Sequence, residues 1–246
     1  MAIVALTSGA LYVADSQLDP VTGQVAFDVS VDLVDVTTLG SAGFKTMLPG
    51  LVSSKFDITG FGDFNPTGFA TNLAAFPVTQ APISFAPNGG GAVGDLAYLS
   101  RINTASITPL SGKVGDAAGI QIGMVGDQRV VRGQVAHPLA ARTTTGNGSA
   151  VTLAGPSATQ RLWAALHCTT FSGTATPTLT VKVQSATDNV FTTPVDRITF
   201  TTVSNSTGSQ FASTAVGAYT ASYHRVTWTI TGTTPSFSFF AVIGVA

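Results

Sequence analysis

The side chains best suited to acid–base or metal chemistry in this sequence are three histidines and one cysteine, and they do not cluster. His137, His167 and His224 are widely separated, and none has a second histidine or a cysteine at the spacing of a metal site. Cys168 follows His167 directly, but neighbouring residues of a strand point to opposite faces. We therefore expect structural roles for these four residues, and neither a metal nor another cofactor.

The acidic residues offer no pair suited to general acid–base catalysis. All twelve are aspartates, and Asp28, Asp32 and Asp35 lie in one short segment. If that segment is a strand, Asp28 and Asp32 share a face but lie roughly 13 Å apart, which is too far for a catalytic dyad. A solvated sheet face is the simpler interpretation.

Two other segments resemble ligand loops only in part. Gly89-Gly-Gly-Ala-Val-Gly-Asp lacks the Gly-Lys-Ser/Thr ending of a phosphate loop, so a turn is the simpler interpretation. Calcium at Asp188-Asn189, or at Asp15 and Asp19, stays an alternative, although no Asp-x-Asp-x-Asp-Gly loop is present. The chain also lacks a Gly-x-Ser-x-Gly elbow. We expect no catalytic residue and no enzymatic activity.

The strand that would position the clustered aspartates shows a clear period of two. Apolar residues of one parity alternate with polar residues of the other; the apolar set is Val25, Phe27, Val29, Val31 and Leu33, and the polar set is Asp28, Ser30 and Asp32. This pattern predicts one dry and one wet face. The parity reverses at Val34 and Val36, which predicts a bulge or a strand end near Leu33–Val34. A second strand is expected over Lys55–Phe61.

The residues between these two strands, 40–54, are expected to form a long loop. Gly40, Gly43, Pro49 and Gly50 argue against a regular element. A loop of this length in a compact domain usually has a function. Its apolar side chains indicate that it packs on another surface.

Composition predicts an all-β protein that is either secreted or covered by neighbours in an assembly. The 246 residues include 36 threonines, four lysines and no glutamate, so long helix-forming side chains are scarce. Only 9% of residues are charged, against roughly a quarter in typical domains. Such a surface is typical of a secreted protein or of a subunit in an assembly. One cysteine argues against a disulfide framework, and neither a signal peptide nor a membrane span is expected.

The chain is expected to divide at about residue 140 into a domain of residues 1–139 and a domain of residues 140–246. Downstream of the division, five strands separated by turn signals predict a second β-sandwich, of immunoglobulin-like type. These strands are Leu162–Cys168, Leu179–Gln184, Arg197–Thr201, Tyr223–Ile230 and Phe237–Val245. Trp163 and Trp228 are expected in its core.

Several short motifs carry a family resemblance. In the first half they are Val34-Asp-Val-Thr-Thr-Leu-Gly, Phe44-Lys-Thr-Met-Leu-Pro-Gly-Leu and Phe56-Asp-Ile-Thr-Gly-Phe-Gly-Asp. Together they resemble the tail tube, or major tail, proteins of long-tailed phages. The segment from Gly94-Asp-Leu-Ala-Tyr-Leu to Val131-Arg-Gly is similar to the middle of such proteins, and residues 157–246 resemble the distal part of a subset of phage virion proteins.

The resemblance implies a tail-tube-type β-sandwich or barrel, followed by an exterior second sandwich. In that family, subunits form hexameric rings, their sheets join around a central channel, and a long loop reaches an adjacent subunit or ring. The implied partners are further copies of the chain, and tape measure, tail terminator and baseplate components. Genomic DNA would pass without specific binding, and no membrane insertion is implied. The implied location is the virion tail, assembled in the host cytoplasm.

Two groups of residues acquire expected roles from this resemblance. Asp28, Ser30 and Asp32 would line the channel, where negative charge repels DNA phosphates. The loop would contact a neighbouring subunit through Phe44, Lys45, Met47, Leu48 and Leu51. Burial of each large apolar side chain there would contribute about 1.5–3 kcal/mol.

Two other functions remain open. A capsid decoration or head protein would share the same composition. A carbohydrate-binding adhesin module is the other alternative, with an aromatic platform formed by Trp163, Trp228, Tyr219 and Tyr223. The alternating pattern around Trp228 favours a core position for that side chain.

Overall fold

The computed structural model describes residues 8–38, 44–62 and 76–246, and the all-β prediction is confirmed. Fifteen strands and one 3₁₀ helix, Asp19–Val21, occupy these ranges. None of the described residues forms a helix that is long and apolar enough to span a bilayer. The strands are β1 (Ala10–Val13), β2 (Ser16–Gln17), β3 (Thr22–Asp35), β4 (Met47–Phe61), β5 (Ala81–Ala86), β6 (Leu96–Ser111), β7 (Gly119–Gly126), β8 (Val131–Arg142), β9 (Gly146–Asn147), β10 (Val151–Thr152), β11 (Leu162–Ala186), β12 (Val195–Thr199), β13 (Val203–Ser204), β14 (Gly208–Ser213) and β15 (Tyr223–Val245).

The chain forms two compact units, and each is built from segments that are distant in sequence. Residue 140 lies within strand β8. The expected division of the chain into two domains at this residue stays a prediction. Unit 1 consists of Met1–Pro20, Gln80–Arg101 and Val131–Ala246, and unit 2 consists of Val21–Thr79 and Ile102–Val130.

Unit 1 is organised by the long antiparallel pair β11 and β15. The two strands pair from Leu162 with Val245 to Ala186 with Tyr223, with register shifts between Cys168 and Thr178. Each of them contains two of the strands expected from sequence, because the chain bends at the glycines and prolines without leaving the ladder. At the bend Gly173 has φ +128°, and a Cβ there would lie 2.9 Å from Pro235 Cα.

Two apolar clusters fill unit 1, one on each face of the first half of β11. Residues Leu162–Cys168 are therefore buried on both faces, whereas Leu179, Val181 and Val183 alternate with partly exposed residues. Trp228 belongs to the first cluster, with Phe237, Phe239 and Ile243 among others. Trp163 belongs to the second cluster, with Tyr12, Leu99, Val135 and Phe240 among others. Both tryptophans are thus core residues but, contrary to expectation, Trp163 does not share a cluster with Trp228.

Unit 2 contains a four-stranded antiparallel sheet in the order β3, β4, β7 and the second part of β6. Phe56 and Ile58 of β4 and Ile122 and Met124 of β7 form its buried face. Phe27 of β3 packs edge-on against Phe56, with ring centroids 4.8 Å apart. Residues 96–106, whose sequence fits a short helix as well as a strand, are part of strand β6.

The expectation that residues 40–54 form an irregular loop is wrong for Met47–Ser54, which belong to β4. Proline and glycine are tolerated here because, within the described ranges, this part of β4 pairs only with β3. Pairing of β4 with β7 begins only at Lys55. Residues 39–43 lie outside the described residues. The ladder shifts register between Val31 and Leu33, next to the expected bulge, but the extra residue lies on β4, where Gly50 and Leu51 together face Asp32.

Candidate functional site

The His167 side chain contacts a serine hydroxyl, as a catalytic histidine would, but its role is structural. Its Nδ1 lies 2.6 Å from the carbonyl oxygen of Ala14 and donates to it, so the Ser84 hydroxyl donates to Nε2 at 2.8 Å. Both side chains are fully buried, and burial lowers the pKa of His167 to about 4. A buried serine cannot reach a substrate. The contacts instead tie β11 to β5 and to the end of β1.

The other two histidines and the cysteine are also buried within unit 1. His137 donates from Nδ1 to the Phe239 carbonyl at 3.1 Å and accepts from Arg142 Nε at 3.0 Å. Burial lowers the pKa of His137 and of His224 to about 4. Burial raises the pKa of the Cys168 thiol to about 12. Among the described residues, no group of three or more metal-binding side chains converges.

The aspartates considered for calcium binding accept hydrogen bonds from the protein itself. Asp188 Oδ1 accepts from the backbone N–H of Val190 at 3.0 Å and of Thr192 at 3.1 Å. Asp19 accepts from the backbone N–H of Leu11 and from Gln17. These carboxylates stabilise turns, which is the usual role of aspartate in loops.

A different kind of site lies on unit 2, where β3 and β4 continue beyond the four-stranded sheet. We call Val29–Asp35 and Met47–Ser54 the ribbon, because these two segments pair only with each other within the described ranges. A two-stranded ribbon without a covering layer has both faces open. Its paired residues share a face, so the register assigns each side chain to one side.

One face of the ribbon and the adjoining sheet is polar. Ser30 pairs with Ser53, and their hydroxyl oxygens lie 2.9 Å apart. Asp28 is paired with Lys55, and Asp32 stands at the bulge, where a Cβ on Gly50 would lie 3.3 Å from its own Cβ. The three predicted channel-lining residues are therefore brought together on one exposed face. Whether that face lines a channel stays a prediction.

The opposite face of the ribbon is apolar and exposed. Near the sheet it carries Phe27 and Phe56, but further out the pairs are Val31 with Val52 and Leu33 with Pro49. The exposed fraction rises from 1% at Phe56 to 66% at Val52 and 60% at Leu33. Contiguous exposed apolar side chains of this kind mark interaction surfaces. Sequence reasoning missed Val52 and Pro49, because the glycine and proline nearby concealed the alternation in β4.

The five predicted loop residues lie at the outer end of the ribbon. Phe44 and Leu51 are the most exposed of the five, at 78% and 79%. The others are Lys45, Met47 and Leu48, all exposed. Lys45 Nζ lies 3.9 Å from Asp35 Oδ2. Their contact with another subunit stays a prediction.

Hydrogen bonds fix the base of the segment that carries Phe44. Asp35 accepts from the hydroxyl and the backbone N–H of Thr37, and these bonds lower the pKa of Asp35. The Thr37 hydroxyl in turn accepts from the backbone N–H of Thr46 at 3.0 Å, and Val36 donates to the Thr46 carbonyl at 2.9 Å. The Asp-Val-Thr motif thus holds together the two sides of the ribbon end.

A cleft of about 350 Å³ adjoins the apolar face within unit 2. Val29 and Val52 of the ribbon form one wall, and residues 126–130 after β7 form the other. The cleft is open and has both apolar and polar walls. It is large enough to take a side chain of a neighbouring molecule.

The aromatic residues considered for carbohydrate binding do not form an exposed platform. Trp163 and Trp228 are buried, and Trp228 donates from Nε1 to the Thr144 carbonyl at 2.9 Å. Arg197 covers one face of the Tyr219 ring, at 3.8 Å from its centroid.

Comparison with solved structures finds similarity to tail components, whereas no protein-family model and no curated protein matches the sequence. A chain from the tail of an empty gene transfer agent particle, refined with C6 symmetry, is 16% identical, with 45% of this chain and 80% of that chain covered and a TM-score of 0.36. A chain of a contractile injection system sheath–tube complex, PVC, is 16% identical, with 53% and 90% covered and a TM-score of 0.41. The Dit hub protein of phage SPP1 is 9% identical, with 98% and 100% covered and a TM-score of 0.38. At these values the likeness does not by itself assign a function.

Proposed function

We propose that this protein is a structural protein of a phage tail, which polymerises as stacked hexameric rings into the tube through which the DNA passes. The observation that carries the proposal is the β3–β4 ribbon, which has a polar face continuous with the sheet and an exposed apolar face. The sequence motifs that resemble tail tube proteins lie in and beside this ribbon. The protein has no enzymatic role in this proposal.

Ring formation would use the outer strands of the unit 2 sheet. Within that unit, β3 and the second part of β6 are the outermost strands. Open strand edges pair readily with another chain. When β3 of one subunit approaches β6 of the next, the sheets join, and their polar faces line the enclosed channel.

The polar face has the charge expected of a channel that DNA must leave easily. It carries Asp28, Asp32 and Asp57 against the single lysine Lys55. DNA affinity depends on neutralisation of phosphates by basic side chains. A face with excess carboxylates therefore repels the DNA and lets it slide without specific binding.

The apolar face and the outer end of the ribbon would bind an adjacent subunit or ring. Phe44 and Leu48 are exposed in the single chain, at 78% and 54%. Their burial in an interface would stabilise the assembly by about 1.5–3 kcal/mol per side chain. The cleft beside Val29 and Val52 offers a place for such a side chain.

Within the virion, the partners would be further copies, the tape measure protein, the tail terminator and baseplate components. Assembly would take place in the host cytoplasm. Residues 140–246 would lie on the exterior of the tube. The low charge of the chain fits this proposal, because interface cores are poor in charged residues.

Electron microscopy of the purified protein tests the proposal. We expect rings or tubes from the native chain, and folded single subunits from the double variant Phe44→Ser, Leu48→Ser. The double variant Val190→Ser, Val195→Ser removes two exposed apolar side chains from unit 1 and is the matched control, which should still form tubes. Tubes from the first variant would contradict the interface assignment. Binding of the native chain to empty heads, without rings, would favour a decoration protein.

A further inference from the structure

The β12 strand of unit 1 contains a bulge that redirects one arginine. Val183 of β11 pairs with Ile198, but the next residue, Gln184, pairs with Asp196, so Arg197 is the extra residue on β12. Bulges re-aim side chains and are frequent beside binding sites. The Arg197 side chain is half-buried instead of extending into solvent beside its neighbours.

Two contacts hold the Arg197 guanidinium in a fixed orientation, and a third contact fixes its aromatic support. Its Nε donates to the hydroxyl of Ser185 at 2.7 Å, and Ser185 is itself buried. Its Cζ lies over the Tyr219 ring, 3.8 Å from the centroid. The Tyr219 hydroxyl lies 2.8 Å from His224 Nε2, so the aromatic support is also fixed. A pre-oriented guanidinium loses little freedom when it binds a ligand.

The terminal nitrogens of this guanidinium are available for a ligand. Among residues 8–38, 44–62 and 76–246, neither an ion pair nor a further hydrogen bond engages them. The neighbouring Asp196 carboxylate instead accepts from Lys182 Nζ and Gln184 Nε2, both at 2.7 Å. A partly buried charge without a counter-charge is unfavourable, unless a ligand supplies the opposite charge.

Arg197 lines a cleft of about 280 Å³ in which it is joined by a loop of small residues. Thr214, Ala215, Gly217 and Ala218 form most of the remaining wall. Because one water occupies about 30 Å³ in the liquid, the cleft has room for more than a lone ion. Its wall offers a hydroxyl, peptide groups, the Arg197 cation and the Asp196 carboxylate, but no large apolar side chain other than Tyr219. The Asp196 carboxylate is already engaged by Lys182 and Gln184. A polyhydroxylated ligand with one oxyanion matches this wall better than a peptide, which would need an apolar anchor.

We propose that this cleft binds an acidic saccharide, with the carboxylate or phosphate of the sugar held by the two terminal nitrogens of Arg197. Paired N–H donors of arginine match the two oxygens of such a group. The binding site is independent of the tube-forming surface on unit 2. It also differs from the aromatic platform considered from sequence, because no stacking ring is required.

Isothermal titration of the full chain with D-glucuronate and D-glucose 6-phosphate tests the proposal, with neutral D-glucose as the matched ligand. We expect both acidic sugars to bind at least about tenfold more tightly than glucose, since hydrogen bonds to charged groups are the strong ones. Arg197→Gln should weaken their binding at least about tenfold. Arg225→Gln is the matched control, because Arg225 also lies over an aromatic ring, Phe191, but does not line the cleft.

Further measurements test the saccharide proposal even if the Arg197→Gln variant does not fold. Ala218→Trp fills the cleft at an exposed position and should abolish binding with Arg197 intact. Equal binding to the native chain and to Ala218→Trp or a folded Arg197→Gln would overturn the proposal. Acetate, inorganic phosphate or N-acetylaspartate binding as tightly as the acidic sugars would also overturn the assignment to a saccharide.

Discussion

At the scale of single residues, the histidines of unit 1 couple stability to pH. Each is buried with a pKa of about 4, below the roughly 6.5 of an exposed histidine. The unfolded chain therefore binds more protons than the folded chain between these values. The stability that neutral histidines contribute is complete above pH 6.5 and is lost as the pH falls towards 4.

We expect the free energy of unfolding to fall as the pH is lowered from 6.5 to 4, by roughly 3 kcal/mol per histidine at most. Urea denaturation at a series of pH values measures this slope. His167→Gln should be less stable at pH 7, because it disturbs the contacts to Ser84 and Ala14, but should show a smaller slope. An unchanged slope would mean that His167 is not responsible. Asp35 and Asp196, with lowered pKa values, affect stability only at more acidic pH.

A second residue-scale prediction concerns the closest approach of two strands in unit 1. A Cβ on Gly133 of β8 would lie 2.1 Å from the Ile243 carbonyl oxygen of β15. Gly133→Ala must therefore push apart a central pair of strands, and should lower the free energy of unfolding by at least about 1–3 kcal/mol. Gly91→Ala is the control, because nothing lies within 4 Å of its Cβ position. Thermal unfolding of the two variants compares them, and equal stability would contradict the predicted clash.

At the scale of elements, strand β4 has a packed half and an unpacked half. Phe56 is buried against Phe27, whereas Leu51 is among the most exposed apolar residues. Phe56→Ala should cost about 3–5 kcal/mol of stability in the single subunit. Leu51→Ala should change it by no more than about 0.5 kcal/mol but should weaken assembly. Denaturation and sedimentation of both variants test this separation, which a stability loss at Leu51 would refute.

How much of each element was predictable from sequence depended on its local signals. The alternation in β3 was sufficient to predict that strand and its two faces, because this signal is carried by consecutive residues. The register shift near Leu33 comes from an extra residue on β4, which the sequence of β3 cannot show. The outer half of β4 was missed since Pro49 and Gly50 are unfavourable in strands in general, and only its single ladder partner makes them acceptable. The bends in β11 and β15 were predicted as strand ends, because turn residues do not show whether strand pairing continues beyond them.

At the scale of the whole molecule, the chain leaves unit 1 after Pro20 and returns to it twice. Pairing of β6 with β8, and of β8 with β15, depends on contacts between distant residues. Local pattern cannot predict such pairing. It placed Asp28, Ser30 and Asp32 on the right strand, but it placed Met47, Leu48 and Leu51 in a loop, whereas they belong to β4. The apolar partners across the ribbon and the cleft beside Val29 required the register.

The proposed channel gives a prediction for the assembled particle. Asp28→Lys together with Asp32→Lys should permit assembly but slow genome ejection, because lysines on the polar face would attract DNA phosphates. The delay should shrink at high salt, since binding through phosphate neutralisation weakens as salt rises. Fluorescence of released DNA measures the rate. Asp116→Lys, which introduces a lysine in a turn outside the polar face, is the control, and unchanged ejection in the double variant would refute the channel assignment.

The proline at position 49 has a further consequence. Uncovered two-stranded ribbons tend to form backbone hydrogen bonds with strands of other chains, and such pairing leads to insoluble fibrils. Pro49 has no amide hydrogen and lies next to a bulge, so it interrupts the row of backbone N–H donors along β4. If the protein assembles as proposed, newly made subunits would accumulate without aggregating, and assembly would depend on matched side-chain surfaces.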